Sequence, residues 1–271
     1  MFENFERRMI TANGVVISYV TAGSGPPVLL LHGSPDSSLL WRDVTATLSA
    51  HWRCLAPDLP GYGRSTAAAD LDLTLAGQAE WIDALWRALD LTPPLNLVGH
   101  DIGGIVAMAF TARYPERVRR LALSNTIFHA DYPGHLWARL WRRRGLGELS
   151  MALMNRPGFR AVYRRGSPGG VPASYVDAAY GTVTADVKRH MLRLYRTLVP
   201  GAFAGWEASY QQAARTVPVL VLWGDHDPYI PSRYASRLGA RKVVSAPRAG
   251  HWLPLVQPNL FARELHDFFA A

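Results

Sequence analysis

The chain of 271 residues suits one large domain with an insertion better than two independent domains. Hydrophobic residues make up 49% of it and charged residues 18%, a balance that supplies a large core and excludes a disordered chain. The net charge of +8 would suit a nucleic-acid partner. No helix-turn-helix, zinc or RNA-platform signature accompanies that charge, so we expect a small-molecule partner and no nucleic acid.

The cysteine content and the N-terminus bear on where the protein works. Cys54 is the single cysteine, which excludes an internal disulfide, and its apolar surroundings in the sequence are typical of a buried, inert thiol. Residues 1–8 carry charges of both signs and no apolar stretch, and no apolar run approaches the roughly 20 residues of a membrane-spanning helix. We therefore expect a cytoplasmic protein with no membrane partner, either a monomer or a homodimer.

The first half of the chain alternates between predicted strands and helices. Two β-like runs flank Asn13-Gly14, a strong hairpin signal. Short apolar runs, typical of buried parallel strands, then alternate with helical stretches. The predicted strands are residues 7–11, 15–21, 27–31, 52–58, 95–98 and 118–124, and the predicted helices are residues 37–50, 75–91 and 103–114. This alternation predicts an α/β fold with a doubly wound, mostly parallel sheet.

The alternation breaks between residues 127 and 214, where the sequence is rich in aromatic and arginine residues and has helical character only. It resumes with predicted strands at residues 217–223 and 242–245 and predicted helices at residues 231–239 and 257–269. We expect residues 1–126 and 215–271 to form the α/β core. Residues 127–214, here called the lid segment, are expected to form a helical lid over the carboxyl ends of the strands, where such sheets place their sites.

The sequence Gly99-His100-Asp101-Ile102-Gly103-Gly104 lies between a predicted strand and a predicted helix. That position, with glycine two residues on either side of the apex, is typical of a nucleophile elbow, in which a tight turn lifts one side chain above the sheet. The apex residue is usually serine, and here it is Asp101. Taken alone, Asp101 could equally be the N-cap of the following helix.

Three further strand ends carry polar signals. His32-Gly33-Ser34-Pro35 follows an early strand, and its Ser34 N–H, together with the N–H of Ile102, could stabilise an oxyanion beside the elbow. Gly224-Asp225-His226-Asp227 and Gly250-His251-Trp252 follow two late strands. The chain order of Asp101, an acid and His251 is the order of a catalytic triad in α/β-hydrolases, although single His and Asp residues in loops usually lie on the surface.

The chain resembles the epoxide hydrolase and haloalkane dehalogenase branch of the α/β-hydrolase superfamily. The matching segments are His32–Pro35 with Trp41-Arg42, residues 58–65, the elbow, and the two late loops. The resemblance implies that Asp227, in the frame Gly224-x-x-Asp227-x-x-x-Pro231, is the acid rather than Asp225. It also implies that no metal or organic cofactor is needed.

The resemblance further implies a reaction in two steps. The carboxylate of Asp101 would attack a saturated carbon and form an alkyl-enzyme ester. His251, oriented by Asp227, would then deprotonate a water molecule that hydrolyses the ester, while the N–H groups of Ser34 and Ile102 hold the oxyanion.

The electrophile is harder to predict. Haloalkane dehalogenases resemble this chain but carry a Trp where it has Ile102 and often an Asn where it has Ser34. Fluoroacetate dehalogenases carry arginines where this chain has Ile102 and Ile105. Epoxide opening needs an acid at the ring oxygen, which the resembling enzymes supply with lid tyrosines. Tyr195, next to Arg196, matches one of them, although it could instead pack the lid onto the core.

The expected partner of Tyr195 lies earlier in the lid segment. Tyr163 is the nearest match, with Tyr132, Tyr175 and Tyr180 as rivals. We therefore predict a hydrolase acting on a small organic epoxide. The alternatives are a haloalkane or haloacid dehalogenase, another Asp-nucleophile hydrolase such as one that opens β-lactones, and a degenerate hydrolase that serves as a small-molecule receptor.

Overall fold

The computed structural model describes residues 5–68, 70–92, 94–168 and 170–271. Residues 1–4, part of the predicted core and of the N-terminal segment discussed above, lie outside this description. The strands are β1 (Glu6–Ala12), β2 (Val15–Ala22), β3 (Pro27–Leu31), β4 (Arg53–Pro57), β5 (Leu95–His100), β6 (Val118–Ser124), β7 (Val219–Gly224) and β8 (Lys242–Ala246). They form one sheet in the order β1-β2-β4-β3-β5-β6-β7-β8.

The strand pairing confirms the predicted fold class. Strands β3 to β8 pair in parallel. Strands β1 and β2 form an antiparallel hairpin at one edge of the sheet, where β2 also pairs antiparallel with β4. The inner strands β5 and β7 are buried at every residue, because helices cover both faces of the sheet, and this explains their continuous apolar sequences.

The helices follow the same chain order. Those flanking the sheet are α1 (Arg42–Leu48), α2 (Leu75–Ala88) and α3 (Ile102–Arg113). The lid segment contains α4 (Leu136–Arg142), α5 (Leu146–Leu153), α6 (Arg156–Gly166), α7 (Ala173–Thr182), α8 (Ala185–Thr197) and α9 (Trp206–Ala213), and the chain closes with α10 (Leu253–Val256) and α11 (Pro258–Ala270). Within the described residues, no helix is long and apolar enough to cross a membrane.

Three predicted helices differ in detail from the structure. The predicted helix 37–50 starts with a 3₁₀ turn at Ser38–Trp41, because the Ser37 side chain accepts from the Leu39 N–H. The predicted helix 75–91 ends at Ala88, since Asp90 adopts the left-handed conformation with φ 51°. The predicted helix 231–239 is a 3₁₀ helix of six residues, Ser232–Arg237, which is too short to establish an α-helix.

Helices α6 and α8 of the lid segment are amphipathic, and α6 turns aromatic side chains inward. Asn155 caps α6 by accepting from the Gly158 N–H at 2.9 Å, and Pro157 fits the first turn, where its missing N–H costs nothing. The buried face of α6 includes Phe159 and Tyr163. The division into core and lid at residues 127 and 214 stays a prediction, but these helices contact the carboxyl end of the sheet, where the elbow lies.

Candidate active site

Asp101 occupies a strained turn between β5 and α3. Its backbone has φ 51° and ψ −121°, a conformation that costs a non-glycine residue about 1–3 kcal/mol. The Asp101 carbonyl accepts from the Thr126 hydroxyl at 2.7 Å, and the Asp101 N–H donates to the Ser124 carbonyl at 3.2 Å. A side chain at Gly103 would overlap the carbonyls of Leu31 and His32, so the close approach of α3 to β3 requires glycine there. The turn has the geometry of a nucleophile elbow.

The Asp101 carboxylate is buried and faces backbone donors. Its Oδ2 accepts from the Ser34 N–H at 2.9 Å. Burial raises the pKa of Asp101, while the charge of His251 and the N–H groups of Ser34 and Ile102 act to lower it. Two N–H groups therefore converge on the carboxylate. They could later stabilise an oxyanion at the same carbon.

His251 and Asp227 complete a chain of three side chains. The Nδ1–H of His251 donates to Asp227 Oδ2 at 2.8 Å, and His251 Nε2 lies 3.9 Å from Asp101 Oδ1. The other oxygen of Asp227 accepts from the N–H groups of Tyr229 and Ile230, at 2.7 and 3.1 Å. These contacts fix the imidazole with Nε2 directed at Asp101.

Asp101, His251 and Asp227 shift one another's pKa values. Burial alone would lower the pKa of His251, but the Asp227 and Asp101 carboxylates raise it to about 9. Burial likewise opposes ionisation of Asp227, yet the charge of His251 and the hydrogen bonds from His251 and Asn125 hold the Asp227 pKa below its ordinary value. At neutral pH these shifts favour an imidazolium on His251 that is paired with an ionised Asp227.

Asn125 is a functional candidate that the sequence analysis missed. Its side-chain N–H donates to Asp227 Oδ2 at 2.9 Å, and its Oδ1 accepts from the Gly224 N–H at 3.1 Å. The residue follows β6 directly and adopts φ 43°. The available signal was the polar triplet Ser124-Asn125-Thr126 at the carboxyl end of a buried strand.

A cavity of about 570 Å³ opens over Asp101. Its volume is typical of small-molecule sites. Core residues Ser34, Asp101 and His251 line it together with side chains of the lid segment. The apolar part of the lining comprises Trp137, Trp141, Leu153, Met154, Phe159, Val162, Met191 and Trp252. In the part of the chain that the structure describes, no group of His, Cys, Asp and Glu has the arrangement of a metal site.

The structure separates the tyrosines that were predicted to work together. Tyr195 lines the cavity. The Tyr163 hydroxyl instead donates to Asp36 Oδ1 at 2.6 Å, so it is engaged away from the cavity. Its three rivals do not replace it: the Tyr175 hydroxyl also bonds to Asp36, the Tyr132 hydroxyl donates to the Tyr229 carbonyl, and the Tyr180 ring packs on Phe159.

His135, not a second tyrosine, lies beside Tyr195 in the cavity lining. It lines the cavity, and its ring centroid lies 6.1 Å from that of Tyr195. His135 Nδ1 accepts from the Ala138 N–H at 3.2 Å, which leaves the proton of the neutral ring on Nε2. Burial, aided by the charge of His251, lowers the pKa of His135 to about 4, so the ring stays a neutral donor at pH 7.

Known proteins similar to this chain are enzymes of several kinds. The family model for the alpha/beta hydrolase fold matches residues 26–153. Haloalkane dehalogenase 2 from Mycobacterium bovis is 29% identical over 98% of this chain and 95% of its own length. A cis-3-alkyl-4-alkyloxetan-2-one decarboxylase from Shewanella oneidensis is 36% identical over 51% of this chain, and the match spans 44% of that protein.

A solved structure extends the comparison to the whole fold. A laboratory-evolved variant of potato epoxide hydrolase superposes with a TM-score of 0.81, covering 98% of this chain and 99% of the other. At 20% identity this likeness shows the fold alone. Together with the family model, it agrees with the α/β fold class described above. The chain has the α/β-hydrolase fold, and the known proteins that are similar to it over nearly its whole length include a haloalkane dehalogenase.

Proposed function

We propose that this enzyme hydrolyses small apolar epoxides through an ester of Asp101. The observation that carries the proposal is the composition of the cavity lining. A carboxylate, Asp101, and two neutral proton donors, Tyr195 and His135, line one largely apolar cavity. An epoxide needs a nucleophile at carbon and a donor at oxygen, because an alkoxide is a poor leaving group.

In the first step an Asp101 oxygen forms a bond to a ring carbon while the ring C–O bond breaks. The Tyr195 hydroxyl transfers its proton to the departing oxygen, and His135 Nε2–H donates a hydrogen bond to the same oxygen. Burial, followed by the Asp101 charge, holds the pKa of Tyr195 well above its ordinary value in the resting enzyme. Esterification removes that charge, so Tyr195 becomes a better acid as the bond forms.

In the second step the ester is hydrolysed. Esterification of Asp101 also removes one of the carboxylates that raise the pKa of His251, so His251 loses its resting proton more easily and can act as a base. A water molecule gives a proton to Nε2 and attacks the ester carbonyl. The tetrahedral oxyanion accepts from the N–H groups of Ser34 and Ile102. As the ester bond breaks, the imidazolium protonates the leaving alkoxide and Asp101 is released as a carboxylic acid. Its proton passes to His251, and the Tyr195 phenolate regains from solvent a proton equal to the one that His251 lost before hydrolysis.

A second candidate is the opening of a β-lactone. It is favoured by the relative from Shewanella oneidensis, whose name describes decarboxylation of an oxetanone ring. Such a strained ring could also be attacked at carbon by Asp101, and its carboxylate leaving group would need no acid. A halide would find indole side chains in the lid segment, at Trp137 and Trp141, whereas Ile102 and Ser34 offer it no indole or amide.

A substrate panel tests the proposal. Epoxides, alkyl halides and β-lactones of matched chain length would be assayed with the wild type and with Asp101→Asn. We expect diol formation from epoxides to be the fastest reaction and to be lost in Asp101→Asn, since an amide is a poor nucleophile. Faster halide release from the alkyl halides, or faster formation of a β-hydroxy acid or CO₂ from the β-lactones, would transfer the proposal to those reactions. No turnover of any of the three would favour the receptor alternative.

A further inference from the structure

Asp36 is a buried carboxylate that the proposed reaction does not use. Only 1% of its surface is exposed. Its Oδ1 accepts from the Tyr163 and Tyr175 hydroxyls, both at 2.6 Å, and its Oδ2 accepts from the Trp252 indole N–H at 2.8 Å. No lysine or arginine among the described residues forms an ion pair with it. Three neutral donors therefore hold a charge that would otherwise be costly to bury.

The three donors come from separate parts of the molecule. Tyr163 lies on α6 and Tyr175 on α7, both in the lid segment, whereas Trp252 directly follows His251. Asp36 itself lies two residues after Ser34, whose N–H faces Asp101. One carboxylate thus joins the lid segment, residues 249–253 around His251 (here called the histidine loop), and the turn that carries the oxyanion donor.

A second set of contacts ties the histidine loop to α6. The His251 N–H donates to the Gly166 carbonyl at 2.6 Å, and the Trp252 N–H donates to the Ser167 hydroxyl at 3.4 Å. The Tyr163 and Trp252 rings stack with their centroids 4.0 Å apart. A side chain at Gly166 would overlap the Trp252 ring, so α6 meets the loop without a gap. The backbone of His251 is therefore held by the lid segment.

We propose that Asp36 is a positioning residue whose bonds to Tyr163, Tyr175 and Trp252 hold the lid segment on the histidine loop and so align His251 for ester hydrolysis. The expected effect on ester hydrolysis rests on the proposed function, whereas the contacts between Asp36, the lid segment and the histidine loop are independent of it. Because alkylation of Asp101 needs no base, loosening the loop slows the second step more than the first.

The charge of Asp36 has a separate effect from its bonds. It adds to the charges that raise the pKa of His251, after Asp227 and Asp101. The other titratable groups facing His251 are His100, with ring centroids 4.9 Å apart, Tyr229, at 5.1 Å, and His135, across the cavity. Asp36→Asn removes both charge and alignment, whereas Tyr175→Phe removes one bond and keeps the charge.

The test measures the formation and decay of the alkyl-enzyme in single turnovers across pH. Asp58→Asn is the control for removal of a buried carboxylate from the core. Asp58 is equally buried and accepts from the Ser38 and Arg64 N–H groups and from the Arg7 guanidinium, none of which lies in the lid segment. We expect Asp36→Asn to slow decay about 10–100-fold, with much less effect on formation, and to move the inflection of decay to lower pH. Tyr175→Phe should slow decay less and leave the inflection in place. Equal losses in both steps, or Asp58→Asn reproducing the selective loss, would overturn the proposal.

Hydrogen exchange keeps the inference independent of the substrate. In Asp36→Asn and Tyr175→Phe, amides of α6, α7 and residues 249–253 should exchange faster than in the wild type, whereas Asp58→Asn should leave them protected. If the wild type forms no adduct with any electrophile, the proposed function fails, but hydrogen exchange still decides whether Asp36 holds the lid segment on the histidine loop. Unchanged protection in both Asp36→Asn and Tyr175→Phe would overturn it. If Asp36→Asn does not fold, Tyr175→Phe carries the comparison.

Discussion

The carboxyl edge of the sheet and the inner face of the lid segment border the same cavity, but different interactions fix their side chains. At the sheet edge, Asp101 and Asp227 are each set by a short turn directly after a strand, with hydrogen bonds to nearby backbone. In the lid segment, the hydroxyls of Tyr163 and Tyr175 are directed by Asp36, which lies 127 and 139 residues away in the chain. The side chains at the sheet edge are therefore oriented by residues close to them in sequence, whereas those of the lid segment are oriented by contacts with residues far away in sequence.

The sheet edge and the lid segment also contribute different groups to the proposed reaction. The proposed nucleophile and base lie on the sheet edge and suit any electrophile that forms an ester with Asp101. The proposed proton donors, Tyr195 and His135, lie on the lid segment and suit an oxygen leaving group. Changes at the sheet edge should therefore affect every substrate, whereas changes in the lid should discriminate among them.

The largest expected effect comes from the sheet edge. His251→Gln keeps a polar side chain but removes the base, so alkylation should proceed while ester hydrolysis stops. Intact-protein mass spectrometry should then show a stable adduct with one substrate per chain. Normal turnover without an accumulated adduct would remove His251 from the role of base.

A lid substitution should have an effect that depends on the substrate. Tyr195→Phe removes the donor that we assign to the ring oxygen, which should slow alkylation by an epoxide ~10²–10⁴-fold. His135→Phe should cost less, because a hydrogen bond is lost rather than the transferred proton. Alkylation by a matched alkyl halide serves as the control and should be much less sensitive. Rapid-quench rates of adduct formation measure both, and equal sensitivity of the two substrates would contradict the division between edge and lid.

The pH dependence should separate the two steps by smaller factors. His251 has a pKa of about 9 in the resting enzyme, and esterification of Asp101 lowers it. Since hydrolysis needs the neutral imidazole, the decay rate of the ester should rise with pH and level off below pH 9. Alkylation needs ionised Asp101, whose pKa burial raises, so its rate should fall at acidic pH. Stopped-flow measurements would contradict this account if ester decay slowed between pH 6 and pH 8.

The same contrast explains how far the sequence alone could lead. Parallel strands end at one edge of a sheet, so motifs after β3, β5, β7 and β8 could be assigned to one place from their order in the chain. The fold class predicted from the alternation of strands and helices is confirmed by the sheet. The neighbours of Asp36 could not be inferred, because Trp252 lies 216 residues away and the packing of α6 and α7 decides the contact. His135 was equally hidden, since a histidine before a helix indicates only a cap.

The central claim is that Asp101 attacks the substrate itself, and isotope labelling of a single turnover tests it most directly. The enzyme would be mixed in excess with an epoxide in heavy-oxygen water. In the proposed reaction the labelled water attacks the ester carbonyl and not the substrate carbon. The first diol should therefore contain no label, and peptide mass spectrometry should find heavy oxygen in the Asp101 carboxylate. Label in the diol of the first turnover, with none in Asp101, would mean that water attacks the epoxide directly and would contradict the account.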